Sequence, residues 1–439
     1  DPRGTYLVSW KAQACPAASG TIADCYVPPR AWQWGIDYVL APWPEASRSA
    51  PPAAPAPSPS ALGGVASAFV AGGVAWQPAV GAPAQAYTAA LGRVDGSWLR
   101  FARDPLGQHT VVERSPDGVA WTTVPTGSAF AGLDVDHGDW VLGTAERQGT
   151  IVAVGASVLF DGSSGDATAW WSTDGKAWHR ATVPGGADAE IAAVAAGATG
   201  FVAVGSDGYP GGNTQLPGAR GAAVWTSADG RAWTRVPPQD GFAGGIMRSV
   251  VFDGSRYVGG GERIPRAGAG MPEPPIWTSA DGRHWSRTAR GSLPAVFDLV
   301  RLAVAPGGVF ALAGSLDGSA AALYRSEGQG AWTPVALPSV PPPPGLGPSA
   351  MYLRDVAAAG GRWVLVGLQT PPGGDAADQL VVWTSADGQA WQPVTPDRPE
   401  LARVDVQQLV TGPTAVLALG AADDPTALTP QALSWRLTP

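Results

Sequence analysis

The chain has 439 residues and a net charge of −8, with 15% charged residues, 59 Gly and 43 Pro. This composition favours many short strands joined by turns over long helices. It also argues against nucleic-acid binding, which needs a concentrated basic face, and the apolar runs are too short to predict a membrane span.

The N-terminal region points to an oxidising compartment. The sequence begins at Asp1 with no Met and no basic-apolar leader, as after signal-peptide removal, although a trimmed chain would look the same. Cys15 and Cys25 lie close together and are expected to form a disulfide, the alternative being two free thiols. We therefore expect a secreted or cell-surface protein. With no other Cys and four scattered His, no metal site or cofactor is expected.

Residues 1–45 do not match the rest of the chain and are predicted to form a small β-hairpin-like extension. Two segments alternate large apolar residues with a period of two, which is typical of strands. The side chains expected to dock this face on a partner are Tyr6, Val8, Trp10, Trp32, Trp34, Ile36 and Tyr38.

Residues 46–64 form a Pro/Ala/Ser-rich linker that should be extended and semi-rigid. The extension before it either folds back on its own domain or docks on a neighbouring subunit by strand addition or groove filling. The second possibility predicts self-association into an oligomer or filament, or binding to another extracellular protein.

A repeat dominates the remaining chain. The pattern Ser-x-Asp-Gly-x-x-Trp occurs at 115–121, 172–178, 227–233, 279–285 and 385–391, with a worn copy at 326–332. The spacing of about fifty residues is typical of a β-propeller blade rather than of a helical solenoid.

Each repeat unit reads as four strands, as in residues 190–196, 201–205, 222–227 and 231–236. The Asp-Gly pair would turn the third strand into the fourth, because Asp accepts backbone N–H bonds and Gly adopts positive φ without steric cost. The following Trp should begin the outer strand and pack against its neighbours.

The last unit lacks its outer strand, and the first part of the domain supplies a spare one. The chain stops soon after Trp435, whereas residues 73–80 (GVAWQPAV) match the outer strand around Trp391 (AWQPV). Pairing of these two segments would close a ring and remove its open edges. The prediction is an all-β protein whose residues 65–439 form a seven-bladed β-propeller with the last blade closed by an N-terminal strand.

The repeat resembles the Asp-box (BNR) repeat of sialidase-like propellers, roughly Ser-x-Asp-x-Gly-x-Thr-Trp. Here Gly follows Asp directly, and Ala or His replaces Thr. The resemblance covers residues 73–439 and implies the fold more than an activity, because such propellers include hydrolases, sorting receptors and assembly factors. It also implies that the repeat Asp residues are structural.

Three arginines are the candidate ligand-binding residues. Aligning the inner strands places Arg248, Arg301 and Arg354 at one position in consecutive blades, where they could clamp a carboxylate as the sialidase arginine triad does. Tyr352, Asp298 and Asp355 lie nearby in sequence but do not complete a sialidase set. The alternative is that these arginines form ordinary ion pairs with acids such as Asp298 and Asp355.

The sequence contains no familiar catalytic motif. We therefore expect a secreted, non-enzymatic scaffold or binding module. The alternatives are a sialidase-like or other glycan-active hydrolase and a lectin-like glycan binder. Residues 134–139 (DVDHGD) could hold Ca²⁺, but a solvated turn fits their spacing better.

Overall fold

A computed structural model describes most of the chain from residue 68 onward. The described residues are 68–79, 86–104, 109–134, 136–160, 165–185, 187–208, 220–264, 275–288, 293–294, 297, 299–305, 308–315, 317–327, 331–341, 349–359, 361–372, 378–394, 401, 403–422 and 431–438. The predicted extension, the linker, Cys15, Cys25 and Asp298 lie outside them, as do Tyr6, Val8, Trp10, Trp32, Trp34, Ile36 and Tyr38.

The described chain is all-β, with short 3-10 segments and no α-helix in the ranges just given. The strands of the first half are β1 (Phe69–Ala71), β2 (Val74–Pro78), β3 (Ala86–Gly92), β4 (Trp98–Arg103), β5 (Thr110–Ser115), β6 (Thr122–Val124), β7 (His137–Arg147), β8 (Thr150–Leu159), β9 (Gly165–Ser172), β10 (His179–Arg180), β11 (Ala189–Ala196), β12 (Phe201–Asp207), β13 (Gly221–Ser227) and β14 (Thr234–Arg235). The 3-10 turn η1 (Asp240–Phe242) follows.

The strands of the second half are β15 (Gly245–Phe252), β16 (Tyr257–Arg263), β17 (Ile276–Ser279), β18 (Ser286–Arg287), β19 (Leu299–Ala305), β20 (Gly308–Gly314), β21 (Ala321–Ser326), β22 (Thr333–Val335), β23 (Ala350–Ala359), β24 (Arg362–Thr370), β25 (Gln379–Ser385), β26 (Trp391–Pro393), β27 (Val404–Thr411), β28 (Val416–Ala422) and β29 (Gln431–Thr438). None of the described elements is a helix long and apolar enough to cross a bilayer.

The strands form antiparallel meanders of four. Strands β3–β6, β7–β10, β11–β14 and β23–β26 are separate four-stranded sheets, and β15–β22 form one eight-stranded sheet. That larger sheet consists of two meanders joined at a single residue pair, Glu262 with Leu299. The last sheet is ordered β1-β2-β29-β28-β27 and so combines both ends of the described chain.

The first strands of these meanders contact one another in cyclic order. The order is β3, β7, β11, β15, β19, β23, β27 and back to β3. Buried Arg100 links the first sheet to the last, because its Nε donates to Glu113 and its Nη1 to Ser434 Oγ, both at 2.6 Å. The rings of Tyr87 and Trp121 lie 4.3 and 4.2 Å from its guanidinium carbon. The architecture is that of a β-propeller, whose first strands surround a central channel.

The predicted pairing of the two chain ends is confirmed. Trp76 pairs with Leu437 and Pro78 with Trp435, the same register that Trp391 and Pro393 have with Ser385 and Trp383. The Trp76 and Trp435 rings lie 6.3 Å apart in an edge arrangement, and both are buried. Strand β1 then covers the outer edge of β2.

Two columns of aromatic residues, one in the third strands and one after the repeat turns, form the packing between sheets. The column in the third strands includes Trp170, Trp225 and Trp277, which are among the largest fully buried side chains. Opposite these three, the fourth strand carries an Arg whose guanidinium lies over the Trp ring at 5.0–5.5 Å. In the later meanders a Pro holds that position, opposite Tyr324, Trp383 and Trp435. Pro on a short outer strand withholds an N–H donor from neighbouring chains.

Candidate functional site

The repeat turns are structural, as expected from the sequence. In the turn of β9 and β10, Asp174 Oδ1 accepts N–H bonds from Lys176 and Ala177 at 2.8 and 2.9 Å. These two backbone donors hold the pKa of Asp174 below its ordinary value. Gly175 has φ of 70°, and its carbonyl accepts the Nε1–H of Trp178 at 3.3 Å. Asp117, Asp229, Asp281 and Asp387 make the same pair of backbone contacts.

The first strands of six meanders carry a β-bulge at one level of the ring, which the sequence analysis missed. The bulged residues are Thr88, Leu142, Ala192, Arg248, Arg354 and Gln407. A bulge aims an extra side chain away from the regular ladder. A glycine in the second strand accommodates the backbone of the bulged first strand. A Cβ on Gly155, Gly205 or Gly261 would lie 1.7–1.8 Å from a carbonyl oxygen of that strand.

Arg248 lies between two carboxylates. Its Nη1 donates to Glu190 on β11, and its Nε donates to Glu262 on β16 at 3.3 Å. Burial alone would lower the pKa of Arg248, but the charges of Glu262 and Glu190 outweigh burial and raise it. Arg248 is therefore fixed and fully neutralised by its neighbours.

Arg354 is fixed by a carboxylate of the next sheet. Its Nε and Nη2 form a bidentate pair with Asp405 on β27, each bond 2.9 Å long. Its neighbour Asp355 accepts the N–H of Val356 and of Leu409, both at 2.8 Å. Burial raises the pKa of Asp355 to about 6 in spite of these donors and of the Arg301 charge.

Arg301 differs from the other two arginines because it forms no ion pair with the part of the chain that the structure describes. Its Nη1 donates a hydrogen bond to the carbonyl oxygen of Gln407 on β27, at 3.4 Å. The Arg301 side chain is exposed to solvent, although it lies on a first strand of the ring. Burial and the nearby Arg354 charge lower the pKa of Arg301 in spite of the Asp355, Glu262 and Asp405 carboxylates.

The structure brings the three predicted arginines together but not at identical register. Arg248 and Arg354 are bulged residues, whereas Arg301 pairs regularly with Leu312. Leu312 directly follows the residue that pairs with Tyr324, and Val366 directly follows the residue that pairs with Trp383. Arg301 pairs with Leu312, and Asp355 pairs with Val366. Arg301 therefore corresponds to Asp355 rather than to Arg354. Strand β19 has no bulge and therefore lacks the extra residue that β15 and β23 contain. Because the sequence alignment assumed equal strand lengths, it placed Arg301 one position away from its true equivalent.

The acids that pair with these arginines were mostly not those considered from the sequence. Glu190, Glu262 and Asp405 make the ion pairs, while Asp355 makes none within 4.0 Å among the described residues. Tyr352 is near Arg354, whose guanidinium carbon lies 5.5 Å from its ring. Burial raises the pKa of Tyr352, and the charges that act on it are those of Arg354, Asp317 and Asp378 rather than of a Glu.

Asp134 and Asp136 precede β7, and His137 and Asp139 lie within it. Asp134 Oδ1 accepts the N–H of Asp136 at 2.9 Å and contacts His137 Nδ1 at 2.6 Å. Asp139 is fully buried and accepts bonds from Arg180 and from the N–H of Gly132. These carboxylates have separate partners, and no group of three or more metal-ligating side chains occurs in the described part of the chain.

A surface cavity of about 150 Å³ lies away from the channel, between β13, β14 and η1. Its charged lining consists of Asp207, Arg220 and Arg235, which pair with one another at 2.7–3.3 Å. Ligand pockets are usually larger, roughly 300–1,000 Å³. The channel, where Arg301 has no ion pair among the described residues, is therefore the better candidate site.

No family model matches the chain, and no curated protein matches it. Among solved structures, it is similar to YCF48 bound to D1 peptide, with a TM-score of 0.51 and 12% identity over 83% of this chain and 97% of that one. Two others are the phage phi92 endosialidase (TM-score 0.46, 11% identity, 83% of this chain and 68% of that one) and the α-L-arabinofuranosidase Arb93A from Fusarium graminearum (TM-score 0.40, 16% identity, 80% and 92%). The YCF48 likeness shows the fold alone.

Proposed function

We propose that this protein is an extracellular, non-enzymatic propeller that binds a carboxylate-bearing ligand in its channel. One observation carries this proposal: Arg301 places in the channel a guanidinium without an ion pair among the described residues, between two arginines that carboxylates already hold in place. A guanidinium in a partly desolvated site favours a carboxylate, which it can bind through parallel N–H bonds.

The ring contacts support seven blades for this propeller. Division of the eight-stranded sheet at the single Glu262–Leu299 pair leaves meanders of equal size. The Ser-Asp-Gly turns fit the Asp-box class in their Asp-to-backbone contacts. Self-assembly through residues 1–45 is part of the proposal and rests on the sequence pattern alone.

A glycan-active hydrolase is the second candidate, and Asp355 is the observation that favours it. A carboxyl with a pKa of about 6 resembles a general acid. However, the neighbouring carboxylates Glu190, Glu262 and Asp405 are all engaged by arginines, so a second carboxylate free to act as nucleophile or base is lacking among the described channel residues. Binding without turnover is therefore favoured.

Calorimetric titration of the full chain with acetate, glucuronate and glucose at pH 7 and low salt tests the proposal. We expect both carboxylates to bind and glucose not to bind. Loss of a charge-assisted hydrogen bond costs about 1.5–3 kcal/mol, so Arg301→Gln should weaken carboxylate binding about tenfold or more. Arg283→Gln, which removes an exposed arginine from a repeat turn, is the matched control and should bind normally.

Two results would reject the proposal. One is the absence of carboxylate binding, or binding that Arg301→Gln leaves unchanged. The other is turnover of fluorogenic glycosides that disappears in Asp355→Asn, which would establish the hydrolase instead.

A further inference from the structure

At the level of the bulges, the channel has a polar, charged half and an uncharged half, and this division specifies the kind of ligand. Four consecutive first strands carry polar residues at the level of the bulges. These are Arg248 and Ser249 on β15, Arg301 on β19, Arg354 and Asp355 on β23, and Gln407 and Gln408 on β27. Because these strands are consecutive in the ring, their polar side chains occupy one continuous side of the channel.

The opposite side carries small or apolar side chains at the same level. The corresponding residues are Thr88 and Ala89 on β3, Leu142 and Gly143 on β7, and Ala192 and Ala193 on β11. Thr88, Leu142 and Ala192 are half-buried, so solvent reaches them. None of the six carries a charge.

Within the polar half, one guanidinium has no ion pair among the described residues, although the Asp355 carboxylate lies near it. Arg248 is offset by Glu190 and Glu262, and Arg354 by Asp405. Arg301 alone has N–H groups without an ion-pair partner among the described residues. A second carboxylate on the ligand would face uncharged side chains and lose its hydration without compensation.

We infer that the ligand is a monocarboxylate whose carboxylate binds Arg301 and whose uncharged, apolar remainder lies against β3, β7 and β11. This inference rests on the proposed carboxylate-binding function and adds the ligand class and its orientation. Each methylene that leaves water against the Leu142 side increases the affinity.

Titration of the full chain with acetate, hexanoate and adipate tests the inference. We expect hexanoate to bind roughly 100-fold tighter than acetate, because four additional methylene groups are buried. Adipate has the same number of carbons with a carboxylate at each end, and we expect it to bind no tighter than acetate.

A substitution in the uncharged half provides the sharper test. Leu142→Arg places an arginine at the bulged position that Arg248 and Arg354 occupy in their own strands, so the local backbone accommodates it. The variant should reverse the preference and bind adipate more tightly than hexanoate. Retained acetate binding in the same variant shows that it is folded and that the Arg301 side is intact.

The outcomes separate the two levels of the proposal. Stronger hexanoate binding, together with the reversal in Leu142→Arg, supports the inference. Equal affinities for acetate and hexanoate that still depend on Arg301, or an unchanged preference in Leu142→Arg, overturn the inference and leave the proposed function standing. Failure of every carboxylate to bind overturns both.

Discussion

At the scale of single residues, burial and backbone donors act on the same carboxyl type with opposite results. Asp174 lies in an exposed turn and accepts two backbone N–H groups, which lower its pKa. Asp355 also accepts two, yet burial inside the ring raises its pKa to about 6. Desolvation therefore dominates in the channel, and hydrogen bonding dominates at the turns. The Asp355 charge near Arg301 is consequently titratable in the physiological range.

Asp355 should make the folded protein less stable as the pH rises. Its folded-state pKa of about 6 lies above the ordinary value of 3.8, so between these values the folded chain keeps a proton that the unfolded chain releases. Stability contributed by this group is present below pH 4 and is lost as the pH rises through 6. The difference between the two pKa values corresponds to as much as ~3 kcal/mol of unfolding free energy.

Urea denaturation of the wild type and Asp355→Asn at pH 4, 5, 6 and 7 measures this effect. Asn lacks the charge, and its altered hydrogen bonding adds a cost that does not vary with pH. We therefore expect the wild type to lose stability relative to Asp355→Asn as the pH rises. A difference between the two proteins that is constant from pH 4 to 7 would show that Asp355 is not shifted.

At the scale of the element, the repeating unit is a four-stranded meander. Its first strand contains a bulge, and its second strand has a glycine where the bulged backbone comes close. The bulge of β11 at Ala192 brings the Glu190 carbonyl over Gly205 of β12. Glycine is required there by a close backbone approach, not by positive φ. This explains why the second strands repeat a glycine after three or four apolar residues.

Gly205→Ala should destabilise the protein by about 2–4 kcal/mol, because its Cβ would lie 1.8 Å from the Glu190 carbonyl oxygen and the bulge would have to shift. Gly314→Ala is the matched control. It lies in the corresponding strand β20, where the facing strand has no bulge and the new Cβ would meet Leu299 at an ordinary 3.5 Å. Thermal denaturation should separate the two variants clearly, and equal stabilities would mean that the bulge adapts freely.

The sequence predicted the repeated elements well because their signals are local. Ser, Asp, Gly and Trp of one turn contact each other within seven residues, and the two chain ends share the same strand motif. The channel was predicted less completely. Which acid pairs with Arg354 depends on the distance between β23 and β27, and Asp405 is 51 residues away. The glycine of the second strand was the available signal for the bulges.

At the scale of the whole molecule, the strand that returns from the N-terminal end holds the ring closed. Trp76 of β2 is fully buried, its ring stacks on Phe69 at 5.3 Å, and it contacts Trp435 edge-on. On the other side of the last sheet, the Arg100–Ser434 bond joins it to the first sheet. A ring whose ends are joined in this way should unfold as one unit, since opening at β2 exposes edges on both neighbouring sheets.

Trp76→Ala should therefore destabilise the whole propeller by about 3–5 kcal/mol, the usual cost of removing a buried Trp side chain. Trp332→Ala is the matched control, because Trp332 holds the corresponding position before β22 but is only half-buried, and it should cost less than half as much. Urea unfolding followed both by circular dichroism and by tryptophan fluorescence should give coincident transitions in the Trp76 variant, at a lower midpoint than in the control. Separate transitions, with one small early phase, would instead mean that the last sheet opens alone and that the rest of the ring is stable without its closing strand.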